Sequence, residues 1–181
     1  MDLPVQQANQ FLNLNHVQGS AVANRSFALI DSTGVTRAVL AVQAPRSNKR
    51  TNNKPGHWTI VRYATHGTVL GGFTKLLRFA EHQLPEITRW VTYADLAISY
   101  GHLYVATGFS VDRLVPPDYK YTGAVTRWQR RSKESFQRKR FRNDPDLLWD
   151  ETWTEAEAAQ HNNVFRVWDC GKLRFIRDVV R

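Results

Sequence analysis

Residues 57–95 constrain the fold more than any other stretch, because they read as strand, helix and strand in one run. "HWTIVRYA" alternates, with Trp58, Ile60 and Arg62 on one face and Thr59, Val61 and Tyr63 on the other. In "THGTVLGGFTKLLRFAEHQLP", Phe73, Leu76, Leu77, Ala80 and Leu84 recur at the spacing of one helical face, and Pro85 marks the exit. "ITRWVTYAD" then predicts a second strand. Upstream, "PVQQANQFLNLNH" places Val5, Ala8, Phe11 and Leu12 at helical spacing behind Pro4, which suits a first turn. "SFALID" and "VTRAVLAVQ", joined by "STG", predict a hairpin. Strands that first pair as a hairpin and later alternate with helices argue for an α/β (α+β) fold built on a mixed central sheet.

The remaining segments are less regular. "APRSNKRTNNKPG" (44–56) has no periodicity and predicts a mobile surface loop, "GHLYVATGF" a short helix with an exit glycine, and "YTGAVTRWQ" a strand. "VFRVWD-CG-KLRFIR" predicts a terminal hairpin. With 42% hydrophobic residues in 181, one substantial core is expected. The division expected is a core over 1–126 and a basic, aromatic segment with the hairpin over 127–181, packed on that core.

Cys170 is the only cysteine, so an intramolecular disulfide and a thiolate metal cluster are excluded, and a reducing, cytoplasmic setting fits. The histidines at 16, 57, 66, 82, 102 and 161 show no metal-ligand spacing, so no metal is expected. No signal-like or membrane-spanning apolar run is present, and no membrane partner is expected. The net charge of +9 makes a polyanion the first partner to consider, either nucleic acid or a phosphorylated cofactor.

Four positions could carry chemistry. "TVLGGFTKLL" brings Gly71, Gly72, Thr74 and Lys75 to a helix start, where backbone N–H groups favour a phosphate, although a tight strand-to-helix turn explains the glycines equally. Asp95 ends a strand, where ligands collect and an acid can serve as base; it could equally cap the next element. His16, just past the first helix, could move protons at neutral pH or simply face the helix C-terminus. Arg62 sits mid-strand among apolar neighbours and needs a partner, either a structural carboxylate or a ligand anion.

Residues 127–142, "RWQRRSKESFQRKRFR", form the densest basic run of the chain. Arg127, Arg130, Arg131, Lys133, Arg138, Lys139, Arg140 and Arg142 interleave with Trp128, Phe136 and Phe141, so that cations could contact phosphates while rings stack on unpaired bases. A solvated helix face is the plainer alternative.

Taken in order, "FLNLNHVQG", "WTIVRYATHGTVLGGFTKLLRF", "VTYADLAISYGHLYVATGF" and "NVFRVWDCGKLRF" resemble a phage family with a GNAT-like (acetyltransferase-like) domain, found alone or at the C-terminus of homing endonucleases. The sequence is similar, more distantly, to the Mom-like DNA-modification group, which shares the order of an N-terminal His, a strand Arg, a helix and "YAD" followed by a glycine and a tyrosine. The resemblance implies an N-acyltransferase that modifies an amine, with DNA as the favoured acceptor and the host cytoplasm as its setting. Asp95, His16, Tyr104 and Arg62 would be its site residues. Gly71, Gly72, Thr74 and Lys75 would lie against the pyrophosphate of acetyl-CoA or another acyl-CoA. The family's loop reads Arg or Gln, two residues, Gly, one residue, then Gly or Ala; here the glycines are adjacent and the leading basic residue is missing. The matching segments begin near residue 1, so no nuclease half is expected. The alternative implied is a non-catalytic module of the same fold that binds nucleic acid or a host protein.

Overall fold

The computed structural model describes residues 1–45 and 54–180. The loop expected over 44–56 falls mostly outside the described residues. The elements in order are α1 (Val5–Asn15), β1 (Arg25–Ile30), β2 (Thr36–Gln43), β3 (His57–Thr65), α2 (Gly72–Gln83), β4 (Arg89–Asp95), α3 (His102–Ala106), β5 (Ser110–Val115), β6 (Tyr119–Gly123), β7 (Arg131–Ser132), α4 (Arg138–Asn143), α5 (Glu155–His161), β8 (Val164–Trp168) and β9 (Lys172–Asp178). Short 3-10 turns occupy Ala124–Thr126 and Lys133–Phe136. The expected α/β class holds, with a six-stranded mixed sheet ordered β1-β2-β3-β4-β9-β5 and a three-stranded sheet ordered β7-β6-β8.

Two expectations change, and one strand is new. β8 pairs with β6 and β9 lies between β4 and β5, so the terminal segments are not a hairpin with each other. "YTGAVTRWQ" is strand only to Gly123, after which the chain turns. β5 carries no buried residue and so shows no alternation by which the sequence could announce it.

Two compact units make up the chain: Met1–Ala94, Ile98–Leu114 and Leu173–Arg181 in the first, Asp95–Ala97 and Val115–Lys172 in the second. In the first, the sheet is covered on both faces. Phe73, Leu76, Leu77 and Ala80 of α2 pack with Phe27, Leu40, Val42, Trp58, Ile60 and Trp90 on one face. Ala8 and Leu12 of α1 pack with Ala28, Val39, Ala41 and Ala64 on the other. Each fully buried Leu or Phe contributes roughly 1.5–3 kcal/mol, so these two layers dominate the unit's stability. Among their polar supports, Glu81 accepts hydrogen bonds from Trp90 Nε1 at 2.8 Å and from Arg177 Nη2 at 2.7 Å.

The bulge in β3 decides which side chains reach which face. Ala41 opposes Arg62 while Val42 opposes Ile60, so Val61 is an extra residue in the ladder. Alternation is broken there. Trp58, Ile60 and Tyr63 pack with the α2 layer, whereas Val61 packs with the α1 layer. Arg62, opposite the α1-facing Ala41, therefore parts from Trp58 and Ile60, with which simple alternation groups it.

The second unit has its own core of Tyr121, Phe136, Phe141, Ala158, Ala159 and Val164. The Tyr121 hydroxyl donates to Glu155 at 3.0 Å and accepts from Arg166 Nε at 3.2 Å, and burial pushes its pKa up to about 12. α5 starts at a capping box, in which Thr154 Oγ1 accepts the Glu157 N–H and Glu157 accepts the Thr154 N–H.

Candidate functional site

β3 and β4 pair in parallel through His57↔Arg89, Trp58↔Trp90 and Thr59↔Val91, near their starts. Past that ladder, the Ile60 carbonyl accepts from the Thr92 side-chain hydroxyl at 3.3 Å. The two strands part, and polar side chains from three elements gather where they do.

Arg62 comes from the bulge. Its Nε donates to the Gly19 carbonyl at 2.9 Å and its Nη1 to the Val61 carbonyl at 2.7 Å. No carboxylate pairs with it among the described residues, so its charge is answered only by carbonyl dipoles and by the nearby Tyr104 phenol. Burial accordingly lowers its pKa, the direction desolvation gives a cation. Tyr104, on α3, packs against Phe73, Phe109 and Phe175 with ring centroids 5.8, 5.7 and 5.4 Å away. Burial raises its pKa, against smaller lowering by the neighbouring Thr92 hydroxyl and Arg62. The phenol is protonated at neutral pH.

His16 caps the C-terminal end of α1, its N–H donating to the Leu12 carbonyl at 2.9 Å. Burial first, and Arg62 second, lower its pKa, so the ring is neutral at pH 7. Nδ1 accepts the Gln18 N–H at 3.0 Å, which assigns the proton to Nε2. In this arrangement the Nδ1 lone pair is engaged and Nε2 is a donor.

The start of α2 lies beside this cluster. Gly71 is its N-cap and no side chain caps the helix. The Gly72 N–H donates to Val69 O and the Lys75 N–H to Gly71 O, whereas those of Phe73 and Thr74 find no acceptor among the described residues. Thr74 is half-buried and Lys75 exposed. A Cβ at Gly71 would meet only Lys75 Cε, at 4.0 Å, so the approach is open. At Gly72 a Cβ would come within 2.9 Å of the Tyr63 hydroxyl. Two free amides, a cationic side chain and the positive end of a twelve-residue helix fit an anionic group such as a diphosphate.

Asp95 closes β4 and its Oδ1 accepts the Ala97 N–H at 3.0 Å, the bond of an Asx turn. Sequence reasoning misses Tyr63 and Thr92. It places Tyr63 on the opposite face because nothing in "WTIVRYA" signals a bulge, and Thr92 reads as an ordinary buried strand residue. No grouping of three or more His, Cys, Asp or Glu side chains among the described residues could hold a metal ion.

The chain is similar along nearly its whole length to two solved acetyltransferases. The ribosomal-protein-S18-alanine N-acetyltransferase from Escherichia coli matches with a TM-score of 0.53 and 10% identity, over 100% of this chain and 93% of that one. The IAA acetyltransferase from Bacillus cereus ATCC 14579 matches with a TM-score of 0.51 and 13% identity, over 99% and 97%. The fold is GNAT-like. No family model and no curated protein matches the sequence. The likeness is one of architecture, and in this GNAT-like frame the parted strands and the uncapped helix start belong to the first unit.

In the second unit, the basic run divides. Phe136 and Phe141 are 2% and 0% exposed, so they fill a core and cannot stack on bases as expected. Lys133 pairs with Asp118, Arg140 with Asp144 and Arg142 with Glu151. Arg138 lies 5.2 Å from the Trp149 ring and donates to the Glu151 carbonyl. Arg127, Arg130, Arg131 and Lys139 are exposed and join no ion pair among the described residues. No helix among the described residues is long and apolar enough to cross a membrane.

Proposed function

We propose that the chain is an N-acyltransferase whose acceptor is an amine of a DNA base, working in a host cytoplasm. The observation that carries the reading is the polar cluster of Arg62, Tyr104 and His16 at the parting of β3 and β4, beside an uncapped helix start with free amides. The similar proteins of known structure are named as acetyltransferases, which supports the reaction class. The phosphate-rich acceptor suits the chain's +9 charge.

Acetyl-CoA or another acyl-CoA would be held at its diphosphate by the Phe73 and Thr74 amides and Lys75, with Gly71 and Gly72 allowing close approach. Bound there, it would supply an acyl group activated as a thioester. The chain's own residues would do the rest. Tyr104 Oη, kept protonated by burial, holds a proton for a leaving thiolate. His16 Nε2–H and the Arg62 guanidinium offer donors to developing negative charge. Holding a weakly nucleophilic exocyclic amine in line supplies much of the rate.

Mass spectrometry of nucleosides from DNA co-expressed with the chain tests the acceptor, with an acylated base expected. Titration calorimetry with acetyl-CoA tests the donor, with saturable binding expected and a Gly71→Trp variant abolishing it. Unmodified DNA together with absent donor binding would refute the reading.

A further inference from the structure

We propose that the turn Thr126–Arg131 is a stacking platform for single-stranded nucleic acid, with Trp128 as its ring. This deepens the nucleic-acid part of the function proposed above but does not depend on acyl transfer. Trp128 is 69% exposed, the most exposed tryptophan of the described chain. Its φ is 60° and that of Arg127 is 52°, so two consecutive residues other than glycine sit in the left-handed region. Side chains rarely adopt that conformation, and almost never in succession.

The surroundings enforce the conformation. Thr126 Oγ1 accepts the Gly123 N–H at 3.0 Å and donates to the Gly123 carbonyl at 2.8 Å. The Arg127, Trp128 and Gln129 amides donate to Ala124, Gly123 and Thr126 carbonyls at 2.8, 2.9 and 3.1 Å. Gly123 itself lies so close to Asn163 that a Cβ would come within 2.3 Å of its carbonyl. A strained turn is thus fixed at three successive amides, and the side chain it delivers goes to solvent. Strain retained without a packing return points to a ligand.

The charges select which ligand. Arg127, Arg130 and Arg131 flank Trp128 in the sequence and are free of ion pairs among the described residues, whereas three of the cations further along, Lys133, Arg140 and Arg142, are answered by carboxylates. Exposed arginines on both sides of one exposed tryptophan along the chain suit phosphates strung beside an unstacked base. A duplex conceals its base faces in its own stack, so the single strand is the form that fits.

The test is fluorescence anisotropy of a labelled oligothymidylate with the full chain, together with thermal melting of each variant. Trp128→Phe should bind within about twofold of wild type, and Trp128→Ala about tenfold more weakly. Trp128→Gly should also bind about tenfold more weakly yet melt higher, because glycine relieves the left-handed strain. Arg130→Gln and Arg131→Gln should each flatten the log–log salt dependence by about 0.7, and Lys133→Gln should not. The proposal is overturned if Trp128→Ala binds like wild type, if Trp128→Gly melts lower, if a duplex of equal length binds as tightly, or if polyglutamate displaces the oligonucleotide as well as unlabelled strand does. The assay contains no acyl donor, so loss of this proposal and loss of the transferase reading are separate results.

Discussion

Gly101→Ala should cost the first unit about 2–4 kcal/mol, and the structure divides that cost into two parts. The first part is conformational. Gly101 has φ +78°, and placing alanine in the left-handed region costs about 1 kcal/mol. The second is steric, because a Cβ would sit 2.5 Å from Phe175 Cε2 and Cζ and 3.3 Å from Ala94 Cβ. Phe175 is fully buried, so its ring has nowhere to retreat, and overpacking of this kind costs about 1–3 kcal/mol. Gly34 supplies the control: its φ is +83° and nothing lies within 4 Å of the point a Cβ would occupy, so Gly34→Ala should cost only about 1 kcal/mol. Both glycines belong to the first unit, so urea denaturation followed by circular dichroism reads the same transition for both. Equal midpoints for the two variants would refute the steric argument. The site should feel the difference too, because the Tyr104 N–H donates to the Gly101 carbonyl and its ring rests on Phe175.

Arg62→Met leaves the Gly19 and Val61 carbonyls without their donor; a loss of about 1–2 kcal/mol in urea titration and a fall in kcat/KM for acyl transfer are expected. Glu81→Leu strands the indole N–H of fully buried Trp90 and should cost about 1–3 kcal/mol, while Glu81→Gln, which keeps an acceptor, should cost less; melting curves of the pair check this. His16 titrates below its ordinary value in the folded chain, so the unfolded chain binds the proton first as the pH falls. The stability this contributes is full above about 6.5 and declines from there down through the folded pKa, and His16→Gln should flatten that part of the profile of melting temperature against pH. Asp95→Asn preserves an acceptor for the Ala97 N–H, so a fall in acyl transfer larger than any shift in melting temperature is expected to report the missing charge, with activity and melting curves measured on the same preparation.

Much of the first unit is legible in the sequence because local pattern and tertiary role agree. The α1 and α2 stripes, the β1–β2 hairpin and the existence of β3 and β4 all follow from apolar spacing that the packing then uses. The readings that fail depend on distant partners. "VFRVWD-CG-KLRFIR" has the local look of a hairpin, yet β6 claims one strand and the β4–β5 gap the other. Phe136 and Phe141 look like stacking residues because basic neighbours surround them in sequence, but helix and turn geometry sends the rings inward and the charges outward. In the candidate site, Arg62, His16 and Tyr104 can be named from sequence, whereas Tyr63 and Thr92 depend on where the strands part, which no local signal reports.

The extra residue in β3 decides which face the second half of the strand presents, in a way that composition cannot express. Removing Val61 would leave hydrophobicity, charge and helix pattern almost untouched. It would also close the bulge, with Ile60 and Arg62 still opposite Val42 and Ala41, so Arg62 would keep the α1 face; a regular strand that kept Val61 would instead carry the Arg62 guanidinium in among Trp58, Ile60 and Phe73. The bulge, and not the length of the segment, therefore separates a chain with an arginine beside its parted strands from one with an arginine in its core.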